Sequence, residues 1–517
     1  ALRRSLDEIV QRHEILRARF ALRNGRPSHI MVPKLTFALE IEDLCRSVEA
    51  GRDELVLRLV REEACRPFDL AKGPLVRGRL FRLDTMNHVL SLTLHHIVAD
   101  GWSMDVLRRE LASLYEAFKD DRPSPLPALP IQYVDLIAAQ LEQAKGENDR
   151  RLLEYWADQL EGAPPLLNLP WDYPRPAIQG HRGARHPWTV EPELARRLYE
   201  AGARYRATPF MLLVSALGLL LSRYSRQTDF CIGTPVANRV GREAEQLVGC
   251  FVNTVALRMD VSGNPSWPAL LDRVRAMVLG AQSHQDLSFE RLVDELGVVR
   301  DLGHTPLFQV MFVLEDSPSD VRRFADLEAS RLNVGTGTSV FDLTLEMAQK
   351  TDGSLDAVFE YSTDLFAADT IAQMAGHLQA LLQQIVASPE ASVSELSILS
   401  PGEQALELAD SRSPREAYPQ EASLHHLIEA QASKTPDAVA LQCDRGPVTY
   451  DSLNRLGNQL ARYLRVQGIV HEVTVALCVD RSLEMAVGIL GCLKAGATYV
   501  PVRSEERRVG KECRSRW

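Results

Sequence analysis

The chain has 517 residues, of which 45% are hydrophobic and 25% charged, and its formal net charge is −10 at pH 7. This length predicts two or three domains of a soluble globular protein, and the acidic balance argues against a nucleic-acid surface, which needs a basic patch. No two of its eight cysteines form the C-x-x-C pair typical of zinc and thioredoxin-type sites, so we expect reduced thiols in a cytoplasmic protein with no metal site.

The first elements in the chain are a helix and a β-hairpin. The opening stretch "ALRRSLDEIVQRHEILRARF" (1–20) is typical of a helix. Two aliphatic runs, "LVRGRLFRL" (75–83) and "HVLSLTLHHIV" (88–98), flank the polar "DTMN" and indicate a hairpin. From Ser103 onward apolar residues recur at helical spacing, with Ser103 as a candidate N-cap. The stretch "VADG" (98–101) should therefore be a tight link from strand to helix.

The next elements predict an α/β fold that runs to about residue 386. The longest apolar run, "MLLVSALGLLL" (211–221), is shorter than the roughly 20 residues that a membrane-spanning helix needs. It predicts a buried helix and no membrane span, with Thr208 as N-cap and Pro209 at the first helical position. Strands, with helices between them, are predicted at "DFCIGTPV" (229–236), "GCFVNTVALRMDV" (249–261), "PLFQVMFVLE" (306–315) and "SLDAVFEYS" (354–362).

The remainder of the chain divides into a linker, a second domain and a tail. Residues 387–423 are rich in Ser, Pro and Glu and predict a linker that packs on its neighbours. A second domain, 424–502, contains the amphipathic "LNRLGNQLARYL". Residues 503–517 are charged and have no hydrophobic period, so we expect them to come from a cloning or assembly junction.

Two adjacent histidines, His95 and His96, stand at the end of the predicted hairpin. Successive side chains of a strand face opposite sides, so only one of the two can enter a given pocket. As metal ligands they lack an i, i+4 partner and a carboxylate cluster. Two interpretations stay open at this point: both histidines are structural, or one faces a cleft as a general base while its neighbour turns into the scaffold.

The string "HHIVADGWS" fits H-H-x-x-x-D-G, and the chain here resembles the condensation domains of non-ribosomal peptide synthetases, relatives of chloramphenicol acetyltransferase. Further matching segments are "RHEILRARF" (12–20), "YVDLIAAQ" (133–140), "LVGCFVNTVALR" (247–258), "HQDLSFERLVDEL" (284–296) and "RDLGHTPLFQVMF" (300–312). The resemblance covers residues 1–386. It implies two chloramphenicol-acetyltransferase-like lobes, roughly 1–170 and 171–386, in a V-shaped pseudo-dimer, with the opening strand and helix of the family missing before Ala1.

The resemblance also assigns roles to the residues of the motif. His96 is expected to face the tunnel where the two substrates meet, and His95 to support its wall. Asp100 is expected to be buried at the end of the strand and to pair with Arg258. Gly101 is expected to permit a tight turn and a close approach of the backbone to substrate.

Two further residues are implied to support the site from outside the motif. Arg12 belongs to a polar helix face that we expect to be buried and structural. Asn253, on a predicted core strand, is expected to hydrogen-bond a loop over the tunnel.

The family joins a donor acyl or peptidyl thioester to an acceptor aminoacyl thioester, each carried on a phosphopantetheine arm. The resemblance therefore implies upstream and downstream peptidyl carrier domains as partners, an adenylation domain in cis, and no cofactor bound directly. The sequence of this motif, "HHIVADGWSMDVL", most resembles the type that joins an L-donor to an L-acceptor. Two competing hypotheses are an acyltransferase that uses coenzyme A or a carrier, and an inert carrier-binding module.

The second domain resembles the first part of an AMP-binding adenylation domain. The matching segments are "TYDSLNRLGNQLARYL" (449–464) and "LKAGATYVPV" (493–502). The Ser/Thr/Gly-rich, lysine-bearing phosphate loop of that family does not follow in the sequence. We therefore expect no ATP site in this chain.

Overall fold

The computed structural model describes residues 1–45, 51–143, 146–239, 241–315, 324–332, 334–410, 422–443, 446–480 and 482–502. Its contacts divide the chain into two compact units, Ala1–Leu406 and Glu407–Trp517. The division falls inside the predicted linker, and the predicted junction tail, 503–517, lies outside the described residues.

The first unit begins with a lobe built on a three-stranded sheet, here called the first lobe. Its sheet has the order β3-β4-β5, and β1 pairs with β2 in a separate hairpin. The predicted hairpin is confirmed, because β4 and β5 pair antiparallel with Val76 opposite Leu94. The elements of this lobe are α1 (Leu2–Arg12), β1 (Ala18–Arg23), β2 (Arg26–Met31), β3 (Leu39–Asp43), α2 (Arg52–Cys65), β4 (Val76–Arg82), β5 (His88–Leu94), α3 (Gly101–Lys119) and α4 (Tyr133–Gln143).

Helices α1 and α3 contribute to the core of the first lobe. Helix α1 buries Leu6 and Ile9, and α3 buries Leu107 and Leu111. Each pair is three or four positions apart and so lies on one face of its helix, which gives each helix a stripe that can pack against a neighbour. This packing fixes the position of α3, which begins five residues after His96.

Helix α3 begins at Gly101, and Asp100 is its N-cap. The Asp100 carboxylate accepts a hydrogen bond from the backbone N–H of Ser103 at 2.8 Å. The predicted N-cap at Ser103 is wrong by three residues, because the aspartate satisfies the free N–H at the third helical position.

The second lobe is built on a six-stranded sheet with the order β6-β11-β10-β9-β7-β8. Strands β7, β9 and β10 are parallel, so their carboxyl ends share one edge, and antiparallel β8 begins at that same edge. The elements are α5 (Glu147–Leu160), β6 (Gly183–Val190), α6 (Pro192–Arg204), α7 (Pro209–Ser225), β7 (Asp229–Val236), β8 (Asn253–Asp260), α8 (Trp267–Ser283), α9 (Phe289–Glu295), β9 (Val310–Glu315), β10 (Leu343–Gln349), β11 (Leu355–Ser362), α10 (Ala368–Ala387) and α11 (Pro401–Asp410). The mixed α/β class predicted for the chain is confirmed.

The central helix of this lobe is α7, as its sequence predicts. Thr208 caps it by accepting a hydrogen bond from the Met211 N–H, and every residue from Met211 to Leu221 is buried. Among the described residues no single helix is long and apolar enough to cross a membrane. Helices α6 and α7 reach the length and apolar content of a membrane span only when they are taken together, and the chain bends by 102° between them.

The core of the second lobe also includes segments outside its predicted limits. Helix α5 contributes Trp156 and Leu160, although these residues precede the predicted division at residue 170. Residues 388–400, the start of the predicted linker, contribute Val393 and Leu396 to the same core. This part of the linker therefore packs on the second lobe.

The second unit contains two small sheets and three helices in the region from residue 422 to 502 that is described. Lys494 is buried here, and its Nζ donates to Glu429 Oε1, Asn454 Oδ1 and Asn458 Oδ1 at 2.5–2.7 Å. The elements are α12 (Leu424–Lys434), β12 (Val439–Cys443), β13 (Gly446–Thr449), α13 (Tyr450–Val466), β14 (Thr474–Leu477), α14 (Leu483–Ala495) and β15 (Thr498–Pro501). Buried Lys494 joins the three helices, because one ammonium group carries three donors and each finds an acceptor.

Candidate active site

His95 and His96 follow directly after β5 and have different surroundings. The His95 ring lies edge-on to the Phe68 ring, with centroids 5.8 Å apart, and its Nδ1 accepts a hydrogen bond from the Ile97 N–H at 3.1 Å. Burial, followed by the charge of His96, lowers the pKa of His95 and favours its neutral form. The side chain of His96 is exposed. His96 is therefore the histidine of the pair that is open to a substrate.

The ring of His96 contacts the second lobe. Its Nδ1 lies 3.5 Å from the Sγ of Cys250, three residues before β8 begins at the edge of the second-lobe sheet. Burial raises the pKa of the Cys250 thiol to about 11, so this thiol is protonated at neutral pH. The sequence does not single out Cys250, because nothing in the local pattern around it indicates a histidine from another lobe.

Asp100 is buried where the two lobes meet. Its Oδ1 and Oδ2 lie 2.8 and 3.1 Å from Nη2 of Arg239, which donates from the second lobe. The carboxylate also accepts hydrogen bonds from the N–H of Ser103 at 2.8 Å and from the N–H of Phe251 at 3.0 Å. Its charge is thus paired and its oxygens are satisfied, which a buried carboxylate requires.

The predicted pairing of Asp100 with Arg258 is wrong. Arg258 lies near the far end of β8, where its Nε and Nη2 donate to the two carboxylate oxygens of Asp229 at 2.8 and 2.7 Å. Its Nη1 donates to the carbonyl oxygens of Gln159 and Glu161. Strand β8 therefore carries Arg258 away from the lobe junction, whereas Cys250, just before the strand, remains at it.

Arg239 takes the role that the sequence motifs predict for Arg258. Its side chain is 2% exposed, and its Nη1 donates to the carbonyl oxygens of Ala244 and Leu247 at 2.6 and 2.7 Å. The guanidinium carbon also lies 4.1 Å from the centroid of the Phe251 ring, a cation–π contact. A buried aspartate indicates that a cation must be near, but sequence spacing does not say which arginine the fold brings to it.

Gly101 has ordinary surroundings for the first residue of a helix. It has no positive φ, and a Cβ built on it meets no atom within 4 Å. The backbone at this position therefore does not itself require a glycine, since an alanine fits the same conformation. A close approach of substrate to this open position stays a prediction.

Arg12 lies beside a buried cluster of charged groups in the first lobe. Its Nε donates to Oε1 of Glu110 at 2.9 Å, and Nε2 of His13 lies 2.8 Å from Oε2 of the same carboxylate. Burial raises the pKa of Glu110, but the hydrogen bonds from His13 and Arg12 and the charge of Arg12 outweigh it and lower the pKa overall. Nδ1 of His13 accepts from the Val248 N–H at 3.4 Å, so this cluster also faces the second lobe.

Asn253 holds the loop that precedes α9. Its Nδ2 donates to the carbonyl oxygens of Gln285 and Leu287, both at 2.7 Å, and its Oδ1 accepts from the Phe289 N–H at 3.1 Å. One amide side chain therefore satisfies three backbone groups of this loop. Whether the loop covers a substrate tunnel stays a prediction.

Residues 244–251, here called the crossing segment, join the second lobe to the first. Val248 of this segment is buried within the first-lobe core. The carbonyl oxygen of Glu245 accepts from Trp102 Nε1 at 3.0 Å, and that of Cys250 accepts from the Tyr133 hydroxyl at 2.8 Å. The crossing segment therefore brings second-lobe groups, including the Cys250 thiol, next to His96.

A second connection between the lobes involves residues that lie between β9 and β10. The Phe324 ring lies 5.6 Å from that of Tyr115, and Asp326 forms an ion pair with Lys119. Further along, the carbonyl oxygen of Gly335 accepts from Arg61 Nε at 2.8 Å. The two lobes are thus attached to each other at several places within one compact unit.

The described side chains at this site are suited to proton transfer and hydrogen bonding. No group of three or more His, Cys, Asp or Glu side chains among them is placed to hold a metal ion. An exposed imidazole whose scaffold is fixed by a buried ion pair can orient an amine or exchange a proton with it.

Comparisons with known families agree with this architecture. The family model of the condensation domain matches residues 1–406, and that of the AMP-binding enzyme matches residues 428–508. The first match ends where the first compact unit ends, 20 residues beyond the predicted limit at 386.

Curated relatives are large synthases of which the chain resembles one part. It is 42% identical over 500 residues to one of the subunits of linear gramicidin synthase from Brevibacillus parabrevis, covering 96% of this chain and 10% of that protein. It is 41% identical over 505 residues to chondramide synthase cmdD of Chondromyces crocatus, covering 97% and 13%. The chain therefore spans only about a tenth of the length of these relatives.

Solved structures show the same fold. A four-domain nonribosomal peptide synthetase, holo-AB3403 bound to AMP and glycine, matches 99% of this chain and 39% of its own, with a TM-score of 0.73 and 25% identity. The X-domain from teicoplanin biosynthesis matches 77% of this chain and 89% of its own, with a TM-score of 0.69 and 28% identity. The first condensation domain of the calcium-dependent antibiotic synthetase, at 22% identity, has a TM-score of 0.66 and supports the fold alone. These likenesses confirm the predicted fold class.

Proposed function

Because the chain belongs to the condensation-domain family, with a partial AMP-binding segment behind it, we propose that it forms amide bonds within a non-ribosomal peptide synthetase. Its substrates are a donor acyl or peptidyl thioester and an acceptor aminoacyl thioester. The observation that carries the proposal is the exposed imidazole of His96 at the junction of the lobes, beside the buried pair of Asp100 and Arg239.

The reaction needs an amine to attack a thioester carbonyl, so the nitrogen must shed a proton while the leaving sulfur gains one. His96 is the group that we assign to the amine, either as the acceptor of that proton or as its hydrogen-bond partner. Holding two tethered reactants in line supplies roughly 7–11 kcal/mol of the barrier in favourable cases. Positioning by the two lobes is therefore as important to the proposal as proton transfer.

Both thioesters are proposed to arrive on phosphopantetheine arms of peptidyl carrier domains, one upstream and one downstream. A substrate that arrives on a covalent arm needs no cofactor bound to this chain. The second unit is proposed to be the first part of the adenylation domain that supplies the acceptor in cis. In support, its match to the AMP-binding family begins at residue 428, after the condensation-domain match ends at residue 406.

We further propose that donor and acceptor are both L-configured. One support is the histidine pair, which heterocyclising relatives replace with aspartates. The other is the sequence of the motif around that pair. Donor carriers loaded with L- or D-aminoacyl groups test this subtype. A product from the L-donor alone supports it, and a preference for the D-donor contradicts it.

The test of the function compares the whole chain with its His96→Ala variant on donor and acceptor carrier domains loaded with aminoacyl groups. Products are released from the carriers and quantified by mass spectrometry. We expect the variant to form product at least about 10²-fold more slowly, the usual contribution of a positioned acid–base group. His88→Ala is the matched control, because His88 is an exposed histidine at the opposite end of the same strand.

The remaining outcomes of this experiment point to different functions. Equal product from the wild type and His96→Ala contradicts a catalytic role for His96. Binding of loaded carriers with no product from any form favours the inert carrier-binding module. Turnover of coenzyme A thioesters, with none of carrier-bound ones, favours the acyltransferase.

A further inference from the structure

The thiol of Cys250 and the imidazole of His96 form a hydrogen-bonded pair across the lobe junction. The two atoms, Sγ and Nδ1, are 3.5 Å apart. Within the part of the chain that the structure describes, the sulfur is the one hydrogen-bond partner shown for the His96 ring. An exposed imidazole with a single fixed partner takes its orientation from that partner.

The position of Cys250 is itself fixed by three successive backbone contacts with the first lobe. The Gly249 N–H donates to the Ser103 hydroxyl at 3.1 Å, and the Cys250 carbonyl oxygen accepts from the Tyr133 hydroxyl at 2.8 Å. The Phe251 N–H then donates to Asp100 at 3.0 Å. The residue before Cys250, the residue itself and the residue after it are thus all held, and the sulfur has little freedom to leave the ring.

The chemistry of the two groups determines which one donates. A thiol is a weak donor and its sulfur a weak acceptor, whereas the bare nitrogen of a neutral imidazole is a good acceptor. Burial keeps the thiol protonated, since the pKa of Cys250 is raised to about 11. The favoured arrangement is therefore a hydrogen bond from the thiol to Nδ1 of His96. The ring proton of the neutral histidine is then on Nε2.

We propose that Cys250 is a positioning residue for His96, which orients the ring and holds the tautomer with its proton on Nε2. In this tautomer the ring presents an N–H donor to the substrates and not a free basic nitrogen. The inference deepens the proposed function, because it favours an orienting role for His96 over a general base. The proposed tautomer of His96 is a property of the free protein and does not depend on any substrate.

The first experiment measures the tautomer directly. The whole chain is labelled with ¹⁵N-histidine, and the His96 resonances are assigned by their loss in His96→Ala. We expect the neutral wild-type ring to carry its proton on Nε2. Cys250→Ala should shift the ring to a mixture of tautomers, and Cys250→Ser should restore the wild-type state, since a hydroxyl also donates to Nδ1.

The control is Cys45→Ser, which removes an exposed thiol of the first lobe whose Sγ lies 3.9 Å from the Arg82 carbonyl oxygen. It should leave the His96 resonances unchanged. A wild-type ring with its proton on Nδ1 overturns the proposal. So does an unchanged tautomer in Cys250→Ala, provided that its thermal unfolding matches the wild type and shows that it folds.

A second experiment measures condensation on loaded carrier domains. Cys250→Ala should lower kcat by about tenfold with little change in KM, because small misplacements of a reacting group are costly, and Cys250→Ser should recover most of the rate. A kcat unchanged in Cys250→Ala contradicts the positioning role. If no form of the chain condenses anything, the proposed function fails, while the ¹⁵N measurement still decides the tautomer.

Discussion

A buried carboxylate is costly unless its charge is paired and its oxygens are hydrogen-bonded. Asp100 meets both conditions with Arg239, Ser103 and Phe251, groups that come from both lobes. The same carboxylate also caps α3 and so fixes the helix that follows the histidines. At the scale of single residues, Asp100 therefore supports the site by joining the two lobes and by capping the helix after the histidines.

Replacement of Asp100 by Asn should destabilise the first unit strongly. The change leaves Arg239 as a buried cation without its partner, and breaking one side of a buried pair costs about 3–5 kcal/mol. The measurement is the free energy of unfolding from denaturant titration. Asp229→Asn is the matched control, because it breaks the partly exposed pair with Arg258 and should cost only about 0–1 kcal/mol. Equal losses in the two variants would contradict this assignment of partners.

The sequence allows some of these residues to be predicted and not others. The motif itself identifies His96 and Asp100, because both belong to one short string. It does not identify Arg239 or Cys250, because their proximity depends on where the segments around β8 meet the first lobe. Arg258 illustrates the limit: it is present in a matching segment, yet the length of β8 carries it to the other end of the strand.

At the scale of elements, some parts of the fold follow from local sequence patterns and others do not. The hairpin of β4 and β5 and the buried α7 follow from local patterns, since alternation and apolar runs indicate them directly. The membership of α5 in the second-lobe core could not be predicted locally, because an amphipathic helix fits either lobe. Asn253, at the start of β8, is the residue that fixes the loop before α9.

Two variants of Asn253 should distinguish the hydrogen bond that its Oδ1 accepts from the two that its Nδ2 donates. Asn253→Ala removes all three hydrogen bonds, while Asn253→Asp keeps an acceptor for the Phe289 N–H and loses the donors to Gln285 and Leu287. Buried carbonyl groups without partners cost about 1–3 kcal/mol. Hydrogen–deuterium exchange should show faster exchange at Phe289 in Asn253→Ala than in Asn253→Asp. Equal exchange in the two variants would show that the Oδ1 contact does not protect this N–H.

At the scale of the whole molecule, the chain contains two compact units with separate cores. The first unit includes both lobes and the beginning of the predicted linker. The packing of the second unit depends on the close approach of helices α13 and α14. A Cβ on Gly491 would lie 2.7 Å from the Leu460 side chain, which explains why the smallest residue stands there.

Gly491→Ala should therefore destabilise the second unit alone. Overpacking of this kind typically costs about 1–3 kcal/mol. Differential scanning calorimetry should show a lower transition temperature for the second unit and an unchanged one for the first. Gly376→Ala in α10 is the matched control, because a Cβ at that helical glycine meets no atom within 4 Å. A single transition that shifts in both variants would contradict the independence of the two units.

The pairing of Asp100 with Arg239 also has a consequence for the order of events on the ribosome. The two residues are 139 positions apart in the chain. At a synthesis rate of about 5–20 residues per second, Arg239 is polymerised roughly 7–28 seconds after Asp100. During that interval the carboxylate lacks the cation that pairs with it, so we expect water to solvate it. The nascent first lobe thus acquires the finished surroundings of His96 only after the crossing segment has emerged from the exit tunnel.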